Sequence, residues 1–322
     1  MKLLEVKNLK TYFTISQGTV KAVDGISFDL DYGEALGLVG ESGCGKTTSA
    51  LSIAHILPKE GQIVDGEILL EGTDLAKMDE KEINKYRWND VSICFQGAMN
   101  ALNPVMKIGD QIAEAIVLHQ GLSKEDALKK AASLLELVDI PGERISNYPH
   151  EFSGGMKQRV MIAMALACDP KIMIGDEPTT ALDVMVQAQI LNLIEKLRRE
   201  FNMGFILITH DLSILAETCD KIAVMYAGKI VEIAKAKDIF ENTLHPYTDM
   251  LIKCFPDITK GKVMPEGIPG APPNMLELPP GCAFAPRCKY ACDRCRQEVP
   301  EPQEVGEGHF VSCHNWEVIA NG

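Results

Sequence analysis

The chain has 322 residues, with 32 Lys and Arg against 45 Asp and Glu and a formal net charge of −13. An acidic balance of that size repels a phosphate backbone and argues against a nucleic-acid binder, while 46% apolar and 24% charged residues describe a folded chain. The longest apolar run, residues 160–168, falls well short of the ~20 residues a membrane helix needs. The opening Met1-Lys2-Leu3-Leu4-Glu5 lacks the apolar core of a signal peptide, so a cytoplasmic chain with reduced cysteines is expected.

In chain order, residues 3–8 and 18–30 read as antiparallel strands with polar turns, and 35–39 as a short buried strand leading into a helix over 47–56. A strand over 91–95 follows. Ser123-Lys124-Glu125-Asp126 resembles a capping box and opens a helix to about Val138. Helices over 153–167 and 182–201 flank a strand over 171–175, and a further strand covers 204–209. This alternation predicts an α/β fold with a mostly parallel sheet covered by helices. Near residues 255–260 the composition changes: ten of the 17 prolines lie from Pro256 onward, and Cys282, Cys288, Cys292, Cys295 and Cys313 crowd into the last stretch. The expected domains are therefore 1–255 and a small Cys-rich part, 256–322.

Three motifs carry chemistry. Gly40-Glu41-Ser42-Gly43-Cys44-Gly45-Lys46-Thr47-Thr48 lies between a strand and a helix and satisfies the Walker A pattern. Its glycines let backbone N–H groups converge on phosphate at a helix N-terminus; Lys46 is expected on the β- and γ-phosphates and Thr47 on Mg²⁺. A thiolate at Cys44 is expected to be favoured by Lys46 and the helix end. Next, an apolar strand ends in Asp176-Glu177. Asp176 suits a water-mediated Mg²⁺ contact and Glu177 suits polarising the attacking water. Finally, Ser153-Gly154-Gly155 opens an apolar helix, a second anion-ready N-terminus. Two such ends are hard to use on one nucleotide, which points to a second molecule supplying one of them.

Together these motifs resemble the ATP-binding cassette of ABC transporters, over about residues 3–255. The resemblance implies a P-loop cassette with an antiparallel β subdomain and a helical subdomain at about 97–165. It implies that Ser153, Gly154 and Gly155 cap the nucleotide of a partner subunit, that Gln96 is the Q-loop residue touching Mg²⁺, that Ala181-Leu182-Asp183 is the D-loop and that His210 is the γ-phosphate switch. An aromatic near the N-terminus would stack on adenine: Phe13 by its spacing, with Tyr12 the alternative. DNA-repair members of the family carry a long coiled coil between Gln and signature, whereas Gln96 and Ser153 are 57 positions apart here. Translation members carry two cassettes and this chain has one set of motifs. An inactive cassette is opposed by the intact Lys46, Glu177 and His210.

The stretch over 152–166, the His245-Pro246-Tyr247-Thr248 segment with Leu251, and Gly281-Cys282-Ala283-Phe284-Ala285-Pro286-Arg287-Cys288 are similar to the ATPase subunits of di- and oligopeptide importers. Related importers carry nickel or other small solutes, which is the alternative. The implied partners are a second ABC ATPase, identical or paralogous, two transmembrane permease subunits and, indirectly, an extracytoplasmic solute-binding protein, with the chain peripheral on the cytoplasmic face of the membrane. In the tail, four thiolates can hold Zn²⁺ or an iron–sulfur cluster. Cys288, Cys292 and Cys295 could form a zinc knuckle, with His314 a further candidate ligand. Cys282, Cys288, Cys295 and Cys313 match the importer pattern, in which relatives can hold a [4Fe–4S] cluster.

Overall fold

A computed structural model describes residues 2–95, 97, 101–180, 182–254 and 267–320. The strands are β1 (Leu4–Ile15), β2 (Gly18–Leu30), β3 (Ala35–Val39), β4 (Gly61–Leu70), β5 (Thr73–Asp74), β6 (Val91–Cys94), β7 (Ile172–Asp176), β8 (Gly204–Ile208), β9 (Lys221–Tyr226), β10 (Lys229–Lys235), β11 (Gln303–Gly306) and β12 (His309–Val311). The helices are α1 (Lys46–Ile53), α2 (Glu80–Ile83), α3 (Ile108–Gln120), α4 (Lys124–Leu137), α5 (Gly154–Ala165), α6 (Val184–Glu200), α7 (Leu212–Thr218), α8 (Ala236–Glu241), α9 (Pro246–Lys253), α10 (Asp293–Gln297) and α11 (Trp316–Ala320).

Two sheets form. The smaller has the order β2-β1-β4-β5 and is antiparallel throughout. The larger runs β11-β12-β10-β9-β3-β8-β7-β6; β6 to β9 and β3 pair in parallel, and β10, β12 and β11 continue antiparallel. The parallel strands are buried on both faces, as their unbroken apolar runs require. The strand period of two then sorts their residues. Leu36, Leu38, Ile172, Ile174, Ile206, Ile208, Ala223 and Met225 pack with α1 and the small sheet. Ala35, Val39, Met173, Phe205, Leu207, Ile222 and Val224 face α3 to α6 and the rest of the larger core. Fully burying a side chain of Leu or Ile size stabilises by ~1.5–3 kcal/mol, so these two stripes fix the register of the whole layer.

Several elements differ from expectation in extent. β1 runs on to Ile15 across register shifts near Leu9 and Phe13. α1 stops at Ile53 because His55 adopts φ +56 and Pro58 follows. α6 starts at Val184, with the Asp183 carboxylate accepting the Val186 N–H at 2.9 Å. Ser123 does cap α4, its Oγ accepting the Asp126 N–H at 3.2 Å, but the capping box is half formed: the Asp126 carboxylate takes the Ser123 hydroxyl, at 2.7 Å, in place of its backbone N–H. The tail is more regular than its prolines imply. Its β12 pairs with β10 (Glu232 with Val311, Ile233 with Phe310), and Phe284 is buried in the larger core. Among the described residues no helix is long and apolar enough to cross a membrane.

Candidate nucleotide site

β3 ends in the phosphate loop, and its glycines meet two different demands. A Cβ at Gly40 would lie 2.1 Å from the Met225 carbonyl oxygen, and one at Gly45 would lie 2.3 Å from that of Ala22, so the loop is pressed against β9 and β2. Gly43 has φ +79 with open space beyond it, so its requirement is conformational and its backbone borders a cavity. That cavity, about 310 Å³, is lined by Ser42, Gly43, Gly45, Lys46, Thr47 and Thr48 on one side and by Glu177 and His210 on the other.

Lys46 is buried, its ammonium donating to the carbonyls of Gly40 at 2.7 Å and Glu41 at 3.0 Å. Asp176 closes β7 as a buried residue; desolvation raises its carboxyl above the ordinary range, and the hydrogen bond from Thr47 opposes that shift. Glu177 follows with φ +47, a left-handed conformation that costs a non-glycine residue ~1–2 kcal/mol. Its Oε1 lies 3.3 Å from His210 Nδ1, and its Oε2 accepts the Thr180 hydroxyl at 2.9 Å. His210 is mostly exposed at the end of β8. One end of the parallel sheet thus collects the phosphate loop after β3, the carboxylates that end β7 and the histidine that follows β8.

Other expected site residues lie apart. Ser153 caps α5, its Oγ accepting the Met156 N–H at 3.4 Å, and Gly155 lets Val186 approach, since a Cβ would lie 2.7 Å from Val186 Cγ1. Ser153, Gly154 and Gly155 do not line the phosphate cavity. Neither do Tyr12 and Phe13: the Tyr12 hydroxyl donates to Asp24 at 2.6 Å, and the Phe13 ring packs on Gly61. Gln96 and Ala181 fall outside the described residues. Cys44 corrects an expectation. Its side chain is buried in the smaller core and does not line the cavity; burial pushes the thiol up, outweighing Lys46.

One support was not legible as such in the sequence. His245 and Tyr247 are buried at the start of α9, and the Tyr247 hydroxyl accepts the Glu41 N–H of the phosphate loop at 2.8 Å. The His-Pro-Tyr-Thr segment was visible, but nothing in it identified its partner 206 positions upstream.

In the tail, Cys282, Cys288, Cys295 and Cys313 line one small pocket with Phe284 and Asn315, and Cys292 does not line it. The local chain is built for close approach. A Cβ at Gly281 would lie 2.4 Å from the Cys295 carbonyl oxygen, which in turn accepts the Cys282 N–H at 2.8 Å. Asn315 donates its N–H to Cys313 Sγ at 3.4 Å.

This arrangement is that of an ATP-binding cassette. The ABC transporter family profile matches residues 23–180, and that of the oligopeptide/dipeptide transporter C-terminal region matches residues 231–295. The chain belongs to the ATP-binding proteins of peptide ABC transporters. It is 47% identical over 317 residues to the dipeptide transport ATP-binding protein DppD of Bacillus subtilis, covering 97% of this chain and 94% of that one. It is 46% identical over 314 residues to the oligopeptide transport ATP-binding protein OppD of Escherichia coli, covering 97% and 92%. Among solved structures, the dimeric bacterial ABC transporter cassette MJ0796 aligns with TM-score 0.64 at 25% identity, over 72% of this chain and 98% of that chain. The Clostridium perfringens cassette cbiO1, part of an ABC transporter complex, aligns with TM-score 0.65 at 29% identity, over 75% and 91%.

Proposed function

We propose that this chain hydrolyses ATP to energise the import of di- or oligopeptides through a membrane ABC transporter. The observation that carries this reading is the convergence of Lys46 and Thr47 with Glu177 and His210 on one cavity, in a chain whose named relatives serve dipeptide and oligopeptide transport. Those names favour peptides over nickel. Lys46 exchanges its two loop carbonyls for phosphate oxygens, adding a fixed positive charge to the N–H groups of the loop and of α1. Glu177 takes the proton of the attacking water, and His210, in contact with Glu177, faces the γ-phosphate. The hard oxygen donors Thr47 and Asp176 suit Mg²⁺, which when bound neutralises charge on the β- and γ-phosphates; Gln96 is its third proposed contact. Phe13, or Tyr12 instead, stacks on adenine.

Pairing with a second cassette follows from the separation of Ser153-Gly154-Gly155 from the phosphate cavity: they serve the nucleotide of the partner, identical or paralogous. Val184 and Met185, 80% and 72% exposed at the start of α6, give that approach an apolar face. The pair works on two permease subunits from the cytoplasmic side of the membrane, with peptides delivered by an extracytoplasmic binding protein. Residues 1–255 form the cassette, with its helical subdomain at about 97–165, and 256–322 form the Cys-rich domain.

The four sulfurs of the tail pocket suit a thiophilic centre, and we assign Cys282, Cys288, Cys295 and Cys313 to a [4Fe–4S] cluster, which when bound would cross-link a segment poor in core. Zinc on Cys288, Cys292 and Cys295 is the alternative: the Cys292 and Cys295 sulfurs lie 3.5 Å apart, near the edge of about 4 Å in a tetrahedron of ~2.3 Å Zn–S bonds.

The reading is tested by purifying the tagged chain from its own membranes and identifying what accompanies it. Two membrane permeases and a cassette subunit are expected. Recovery with nucleic acid or ribosomes contradicts it.

A further inference from the structure

Arg287 lies in the tail, one residue before Cys288, yet its guanidinium reaches the phosphate loop. Its two terminal nitrogens donate to the two carboxylate oxygens of Glu41 at 2.6 and 2.9 Å, a bidentate pair between residues 246 positions apart. The Arg287 side chain is only 5% exposed. It also donates to the Tyr226 hydroxyl at 3.2 Å and to the Pro269 carbonyl at 2.8 Å, and it lies beside the rings of Tyr226 and Phe284. Fork-to-fork pairing fixes orientation as well as distance, which a point charge does not.

Glu41 sits between Gly40 and Ser42, where the loop leaves β3. Its carbonyl accepts from Lys46 and its N–H donates to Tyr247. On the far side of the loop, the Gly228 N–H donates to the Cys44 carbonyl at 2.9 Å. The cassette therefore secures the loop backbone at two points, through the Tyr247 hydroxyl and the Gly228 N–H, and the side chain of Glu41 is secured by the tail. An anion cradle works by preorganisation: N–H groups already converging need no reorganisation when phosphate arrives. We infer that Arg287 is a positioning residue for ATP binding, and that the C-terminal tail acts as a clamp on the phosphate loop through the Arg287–Glu41 pair. The tail then does more than complete the fold, because it sets the nucleotide affinity of its own subunit.

The inference rests on the reading of the Lys46 loop as the ATP site, and the test separates the two. ATP affinity is measured on the full chain by equilibrium titration for Arg287→Gln, Arg287→Lys, Glu41→Gln, the exchanged pair Arg287→Glu with Glu41→Arg, and Lys46→Ala. The clamp predicts an increase in Kd of about tenfold for Arg287→Gln and for Glu41→Gln, the scale of one charge-assisted pair. It predicts a smaller increase for Arg287→Lys, and recovery to within about threefold of the parent for the exchanged pair. Glu41→Gln covers the case in which a change at the buried Arg287 prevents folding. Parent-like affinity in Glu41→Gln, or an exchanged pair no better than the single variants, overturns the clamp. Unaltered ATP binding in Lys46→Ala overturns the ATP-site reading instead.

Discussion

Glu232 Oε1 lies 2.9 Å from His309 Nε2, joining β10 of the cassette to β12 of the tail in a region where both residues are buried. The same carboxylate accepts the N–H groups of Leu244 at 2.7 Å and His245 at 3.1 Å, and the Thr243 hydroxyl at 3.1 Å. One side chain thus organises the tail edge of the sheet and the entry to α9, the helix whose Tyr247 touches the phosphate loop. Glu232→Ala leaves several buried donors without a partner and is expected to destabilise the chain by about 3–5 kcal/mol. Glu232→Gln, which keeps the size and one acceptor, is expected to cost about half as much or less. Urea midpoints of the full chain check both.

His245 gives a pH dependence. Burial lowers its pKa to about 4, with the nearby Glu232 opposing the shift, against about 6.5 in the unfolded chain. Between those values the unfolded chain holds the proton and the folded chain does not. This contribution is therefore unchanged above pH 6.5, and stability falls as pH drops from 6.5 towards 4. The expected loss from this residue is about 2 kcal/mol between pH 7.5 and pH 5. His245 Nδ1 also accepts the Tyr247 N–H, capping α9. Asn is a good capping residue, so His245→Asn is expected to retain the helix and flatten that part of the slope. Denaturation midpoints across this pH range for the two proteins supply the comparison.

Glu177→Gln keeps the size of the side chain and removes the base. Hydrolysis is expected to fall by about 10²–10⁴-fold while ATP binding is retained. Steady-state phosphate release, measured beside an ATP titration, tests the assignment, and undiminished turnover contradicts it.

In the tail, anaerobically purified protein is expected to be brown, with about four irons per chain. Cys313→Ser is expected to lose iron, and Cys292→Ser to retain it because Cys292 stands outside the pocket formed by the other four. Iron and zinc analysis of the three proteins decides this; a colourless parent with one zinc contradicts the cluster.

Much of this molecule was readable before its fold. Ala35–Val39 and Gly204–Ile208 are short apolar runs, and local pattern suffices for such strands. The phosphate loop was legible because a nine-residue segment contains all its parts. What stayed hidden depends on partners distant in sequence. Cys44 looked activated beside Lys46, but its burial against Gly40 and the smaller core reverses the expectation. Arg287 and Glu41 are unremarkable charges until the tail folds back 246 positions to join them. The pairing of β12 with β10 rests on two register positions that no periodicity in a proline-rich segment announces.

Peptide uptake in cells from which the chain has been deleted shows whether its ATP turnover drives peptide import. Uptake of a labelled tripeptide is measured after restoring the parent sequence, Lys46→Ala or Glu177→Gln, with nickel uptake followed in parallel. The parent is expected to restore peptide uptake, both variants are expected to fail although they are present at the membrane, and nickel uptake is expected to stay unchanged. Peptide uptake that is indifferent to the deletion, or restored equally by Lys46→Ala, would contradict that coupling.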